Sequence, residues 1–208
     1  MTIQQFSHND VEISRVINKY QGFFKVDEYQ LRHRLFNGGY SKNLSREIFE
    51  RGDAVVLIPY DPVKDNVIII EQFRQGALRH HGTPWLLEFI AGMFDENESP
   101  VEVAIREAHE EANLTIEQND ILEVMTYFSS PGGTSECIHL YAANVDSTHS
   151  GGVHGLPEEG EDILVHVMTR EEAVALLAQG KITNAATIIG LQWLQLNYLH
   201  LQSLWLNQ

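Results

Sequence analysis

Three glutamates, Glu107, Glu110 and Glu111, stand at spacings i, i+3 and i+4 inside the run Pro100–Ala112. On a helix that spacing gathers them on one face. Like charges so placed repel by about 0.2–0.5 kcal/mol per pair. Two readings are open. The cluster is a solvated surface face, or it coordinates a hard divalent cation through oxygen, which cancels the repulsion. A second acidic group, Glu158-Glu159-Gly160-Glu161-Asp162, reads by itself as a solvated loop.

The flanks of the first cluster predict the helix that would carry it. Ser99 can cap, Pro100 suits the first helical position, and Glu102 completes a capping box. Asn113 tolerates the left-handed conformation of a helix end. Val101, Ala104, Ile105, Ala108 and Ala112 recur at helical spacing and are the expected core stripe.

Strands are expected around this helix. Up to about residue 50 the chain reads as extended over Val11–Tyr20, Phe23–Phe36 and Ser45–Glu50, with Asn37-Gly38-Gly39 as a hairpin turn. Such a small sheet has little to bury on its own. Ala54–Pro59 and Val67–Phe73 are short apolar runs of the kind that form buried strands. Trp85–Ile90, Ile121–Phe128, Ile138–Val145 and Ile163–Met168 complete the strands, and Asp146–Gly160 reads as a long loop. Arg170–Gln179 and Thr187–Leu206 read as helices, the second amphipathic because Gln192, Gln195, Asn197, His200 and Gln202 interrupt its leucines. Helices do not alternate regularly with strands, so the fold class is α+β. Residues 1–50 are expected to form an N-terminal β-strand domain and 51–208 a catalytic domain.

Composition excludes several classes. Hydrophobic residues make up 43% and charged residues 21%, which suits a globular core. With 29 acidic residues against 14 Lys and Arg, the net charge of −15 repels nucleic acid. A single cysteine, Cys137, cannot close a disulfide within the chain and fits a reducing compartment, so a cytoplasmic location is expected. No signal peptide and no apolar membrane span are seen. His80-His81 lacks zinc-like spacing, and His109 has no assigned role.

The run from Gly92 to Leu114 resembles the Nudix box, G-x5-E-x7-R-E-U-x-E-E-x-G-U with U aliphatic. Gly92, Glu98, Arg106, Glu107, Glu110, Glu111 and Leu114 match it. Ala108 is smaller than the usual aliphatic, and Asn113 replaces the last glycine while keeping access to the left-handed region. The resemblance implies a Nudix fold, mixed β-sheets sandwiched by helices, with a small N-terminal β-sheet domain. It implies Mg²⁺, with Mn²⁺ as a possible substitute, held by Glu107, Glu111 and the main-chain carbonyl of Ala91, with Glu110 nearby. Arg106 and Glu98 would hold those carboxylates in place.

Other segments resemble the bacterial ADP-ribose pyrophosphatase subgroup of that superfamily. They are the runs Tyr20–Phe24 and Arg46–Arg51, Glu71–Arg74, the downstream Pro131, and the loop His154–Asp162. The resemblance implies hydrolysis of ADP-ribose to AMP and ribose 5-phosphate. It makes Glu159 the general base, acting on water acidified by Mg²⁺, and Glu161 a further metal ligand. Phe23 and Phe24, Arg46, Glu47, Arg51, Arg74, Met93, Ser130 and Glu136 would contact substrate. It also implies a homodimer whose N-terminal strands exchange, so that two incomplete sheets cover each other. A GDP-mannose-type pyrophosphatase and a catalytically silent nucleotide-sensing module remain open alternatives.

Overall fold

The computed structural model describes residues 3, 5–79, 81–94 and 97–207. The chain divides into two compact units, Met1–Gly52 with Phe128–Cys137, and Asp53–Tyr127 with Ile138–Gln208.

In the first unit β1 (Val11–Gln21), β2 (Lys25–His33) and β3 (Leu44–Glu50) form an antiparallel sheet in the order β1-β2-β3. Gly38 and Gly39 turn the chain between β2 and β3 at φ 86° and 76°, as the hairpin signal predicts. The expectation of an extended run from Phe23 is corrected. Gly22, Phe23 and Phe24 form the turn between β1 and β2, closed by the Gly22 N–H on the Phe24 carbonyl at 2.8 Å. Aromatics mimic strand alternation there because they stack: Phe23 on Phe24 at 4.7 Å and Phe24 on Phe49 at 5.1 Å between ring centroids. Of the residues in these strands only Asp27 is buried. Ile13, Val16 and Tyr20 of β1 stay largely exposed.

The second unit is built on an eight-stranded mixed sheet. Its strands are β4 (Ala54–Asp61), β5 (Asn66–Phe73), β6 (Trp85–Glu88), β7 (Ile90–Met93), β8 (Ile121–Phe128), β9 (Cys137–Asn144), β10 (Gly152–His154) and β11 (Ile163–Thr169). The main path runs β10-β11-β5-β4-β9-β8, with β6 on β5 and β7 on β4; β4 and β9 run parallel, while the pairs β10–β11, β11–β5, β5–β4, β5–β6 and β4–β7 are antiparallel. Three α-helices are present among the described residues: α1 (Pro100–Ala112), α2 (Arg170–Ala178) and α3 (Ala185–Leu206).

Continuous apolar runs make β4 and β5 strands buried on both faces. Alternate residues serve opposite layers. Val55, Leu57, Ile68 and Ile70 pack with Val103, Ala104 and Ala108 of α1. Val56, Ile58, Val67 and Ile69 pack with Leu191, Leu194 and Leu201 of α3. Each such aliphatic side chain contributes about 1.5–3 kcal/mol by leaving water. The expected α+β sandwich of sheet and helices is therefore observed.

Four local expectations change. Trp85–Ile90 is two strands, because the chain switches neighbours at Phe89, whose N–H donates to Thr187 Oγ1 at 3.0 Å instead of to a strand. The loop Asp146–Gly160 contains β10, which pairs with β11. The buried stripe of α1 is Val103, Ala104, Ala108, Glu111 and Ala112, with Val101 and Ile105 only half-buried. Finally, α3 is apolar on both sides: Leu191, Leu194 and Leu201 face the core, while Leu196 and Leu199 are exposed. No helix among the described residues is long and apolar enough to cross a membrane.

Candidate active site

Local sequence sets the position of α1. The Ser99 hydroxyl accepts from the Glu102 N–H, and the Glu102 carboxylate accepts from the Ser99 N–H at 2.8 Å. At the other end Asn113 takes φ 51° and ψ 36°, the left-handed geometry expected of it.

Arg106 organises the acidic face of this helix. Its Nε and Nη2 grip the two oxygens of Glu98 at 2.9 and 3.0 Å. Nη1 donates to Glu107 at 2.7 Å and to Glu110 at 3.0 Å. Nη2 also donates to the Met93 carbonyl at 3.2 Å, tying the helix to β7. These bonds raise the Arg106 pKa further, so the guanidinium is permanently charged.

Glu111 differs from its neighbours in being buried, with 2% of its surface exposed. The Ala91 N–H donates to one carboxylate oxygen at 3.0 Å, and Gln72 Nε2 lies 3.5 Å from the other. Burial pushes its pKa well above the ordinary carboxylate value, and the charges of Glu107 and Glu161 add to the shift. Glu107 is pushed up to about 7, first by burial and then by Glu110 and Glu161, with Arg106 opposing. The Glu107 carboxylate lies directly over Gly92, and a Cβ there would overlap it. Gly92 is therefore needed for space and not for a special backbone angle.

The acidic loop enters the same neighbourhood. Glu161 contributes to the repulsion at both Glu107 and Glu111. Its Oε2 accepts from the Leu156 N–H at 3.1 Å. Glu159 is exposed and ends the short 3-10 turn Pro157–Glu159, followed by Gly160 at φ 75°. Arg74 pairs with the buried Glu88, Nε donating to Oε1 at 3.3 Å and Oε2 at 3.1 Å and Nη2 to Oε2 at 2.8 Å, and its charge acts on Glu111. The structure thus brings together Ala91, Met93, Glu107, Glu110, Glu111, Glu161 and Arg74 within the second unit.

Apart from Glu159, the other sequence-predicted residues lie in the first unit. Phe23 is 88% exposed at its turn, and Phe24 sits under the Arg51 guanidinium at 5.6 Å from ring centroid to Cζ. Arg51 Nη1 pairs with Glu136 at 3.1 Å. Ser130 is exposed, and its carbonyl accepts the N–H groups of Gly133 and Thr134 at 3.0 Å. Arg46 and Glu47 are exposed on β3. A cavity of about 540 Å³ is lined by Arg46 with Tyr29, Leu31, Ile48, Phe128 and Pro131.

A family description of the NUDIX domain matches residues 50–191. The chain belongs to the Nudix family. Among proteins similar to this Nudix chain is the ADP-ribose pyrophosphatase of Escherichia coli (strain K12), 51% identical over 200 residues, which cover 96% of this chain and 95% of that one. The Haemophilus influenzae ADP-ribose pyrophosphatase is 48% identical over 206 residues, covering 98% and 94%. The GDP-mannose pyrophosphatase of Cronobacter sakazakii is 38% identical over 158 residues, covering 73% and 78%. A solved structure titled as an ADP compounds hydrolase shares the fold, with TM-score 0.69 at 21% identity over 95% of this chain and 98% of that one.

The Nudix carboxylates suit a hard cation chemically. All are oxygen donors, and at Glu111 burial and two neighbouring carboxylates outweigh the Arg74 charge, a cost that a bound cation would offset. No set of three acidic, His or Cys side chains encloses a metal position among the described residues. Mg²⁺ does not require such a cage, since it keeps several waters and uses one or two carboxylates.

Two residues of the Nudix site were not anticipated. Glu88 is the one acid in the run Trp85–Ile90, and a charge in a buried strand needs a partner, which is the available signal. Gln72 lies in the run Glu71–Arg74 that carries the resemblance, but no role was expected of it. His80 lies outside the described residues; His81 and His109 are exposed.

Proposed function

We propose that this Nudix hydrolase cleaves ADP-ribose to AMP and ribose 5-phosphate with a divalent cation, Mg²⁺ or in its place Mn²⁺. The chemistry is supported by the buried Glu111 beside Glu107, over the Gly92 floor and within the field of Arg74. The substrate is supported by relatedness along nearly the whole chain to proteins named for it. Glu107, Glu111, Glu161 and the Ala91 carbonyl would hold the cation, with Glu110 beside them. When bound, it would neutralise phosphate charge and acidify water.

The chain's own residues carry the remaining steps in this reading. Glu159 takes the proton from water, whose oxygen attacks the adenosyl phosphorus as the bridging oxygen leaves with ribose 5-phosphate. Arg74, prevented from wandering by Glu88, presents a fixed charge to the phosphates. Phe23, Phe24, Arg46, Glu47, Arg51, Ser130 and Glu136 bind the nucleoside and ribose ends, with Met93 contributing its main chain.

Initial rates on ADP-ribose, GDP-mannose and ADP-glucose test the substrate. ADP-ribose is expected to have the highest kcat/KM. A faster GDP-mannose reaction rejects this choice, and no turnover with either metal favours a binding module. In ¹⁸O-water the label is expected in AMP; label in ribose 5-phosphate rejects the site of attack.

A homodimer with exchanged N-terminal strands completes the proposal. It is supported by the exposed Ile13, Val16 and Tyr20 of β1, which in a lone chain leave apolar surface on an edge strand. Light scattering is expected to give twice the 23.6 kDa chain mass. A monomer at assay concentration rejects it.

A further inference from the structure

The acidic loop begins at Gly155, and three observations single out that residue. Its φ is 100°, in the region that L side chains rarely adopt. A Cβ built on it would lie 2.7 Å from Glu161 Cβ, 3.3 Å from Glu161 Oε2 and 3.3 Å from Ile163 Cδ1. Its N–H donates to the Glu110 carbonyl at 3.2 Å. That carbonyl belongs to the last turn of α1, where helical carbonyls have no partner within the helix.

The next residue closes the loop on itself. The Leu156 N–H donates to Glu161 Oε2 at 3.1 Å, and the Leu156 carbonyl accepts the Glu161 N–H at 3.2 Å. Residues 155 and 156 therefore join two carboxylate-bearing elements. One bond reaches α1 between Glu107 and Glu111, and two bonds hold Glu161. The 3-10 turn with Glu159 lies inside this clasp.

We infer that Gly155 is a positioning residue for the Glu161 carboxylate, holding it in register with the glutamates of α1. Any side chain at 155 meets a backbone-anchored Cβ and not a flexible tip, so Glu161 itself must move. A displacement near 1 Å at a catalytic group can cost about 100-fold in rate. The inference rests on the reading of Glu161 as a group of the metal site.

A double-mutant cycle on the full chain tests it, using ADP-ribose hydrolysis as a function of Mg²⁺. Gly155→Ala is expected to lower kcat by about 10–100-fold and to raise the Mg²⁺ concentration for half-maximal rate, with KM for ADP-ribose little changed. In a Glu161→Gln background the same change is expected to have almost no further effect. A merely structural glycine would multiply the two losses, and that result overturns the inference. Full activity of Glu161→Gln would instead overturn the reading of Glu161, and normal activity of Gly155→Ala beside an impaired Glu161→Gln would overturn only the role of Gly155.

Should Gly155→Ala fail to fold, amide hydrogen exchange of the otherwise unaltered loop decides. Protection is expected at Gly155 and Leu156, with Glu161→Gln weakening it at Leu156 and leaving Gly155 unchanged. Unprotected amides at both positions in the wild-type chain overturn the clasp.

Discussion

Glu111→Gln is expected to remove at least about 100-fold of turnover while leaving the metal-free protein as stable as wild type or more so. The two effects have one cause. Glu111 exposes 2% of its surface, and its hydrogen-bond donors among the described residues are the Ala91 N–H and, at 3.5 Å, Gln72. Neither supplies a full positive charge. Glutamine keeps the shape and still accepts the Ala91 N–H, while the Gln72 amide can turn to meet the new donor. What is lost is a buried like charge beside Glu107 and Glu161, which costs stability unless a cation offsets it. Thermal unfolding with EDTA and with Mg²⁺ separates the cases. In wild type, a cation at a hundredfold excess over its Kd adds about 2.7 kcal/mol. The variant is expected to lose most of that increment. An unchanged Mg²⁺ increment together with a lower metal-free Tm would make Glu111 a structural residue. By contrast Glu110 is partly exposed and held by Arg106, so Glu110→Gln is expected to cost less.

Glu111 also shows what could and could not be seen in the sequence. Its spacing from Glu107 and Glu110 placed it on a helix face, and the helix itself was legible from Ser99, Pro100, Glu102 and Asn113. Spacing could not say that the face of Glu111 turns inward. That depends on β7 presenting the Ala91 N–H beneath it, a contact between residues far apart in the chain. The apolar strands β4 and β5 were legible because continuous runs of Val, Ile and Leu permit little else. The break at Phe89 was not, since it is decided by Thr187 on a distant helix. Local chemistry carried the caps, turns and buried strands. Tertiary partners decided which acids are buried, as with Glu88 under Arg74, and which leucines of α3 stay exposed.

Glu159→Gln is expected to lower kcat by about 10²–10⁴-fold with KM for ADP-ribose and Tm nearly unchanged. The stability half of this expectation follows from exposure. Glu159 is exposed, and its carboxylate makes no hydrogen bond among the described residues, so neutralising it should stay within about 0.5 kcal/mol. The kinetic half follows from its place on the loop. Glu161 is held in place by the Leu156 N–H, which suits a fixed ligand better than a group that must swing to reach water. Glu159 has no such commitment, and Gly160 at φ 75° gives the chain a bend beside it. Amides cannot accept the proton from water, while size and polarity are kept, so binding should survive. Glu158→Gln is the matched control, exposed in the same turn. Near-wild-type kcat for Glu159→Gln would exclude it as the base, and a loss confined to Glu158→Gln would move the role by one residue. If both variants lose only KM, the turn binds substrate and the proton goes elsewhere.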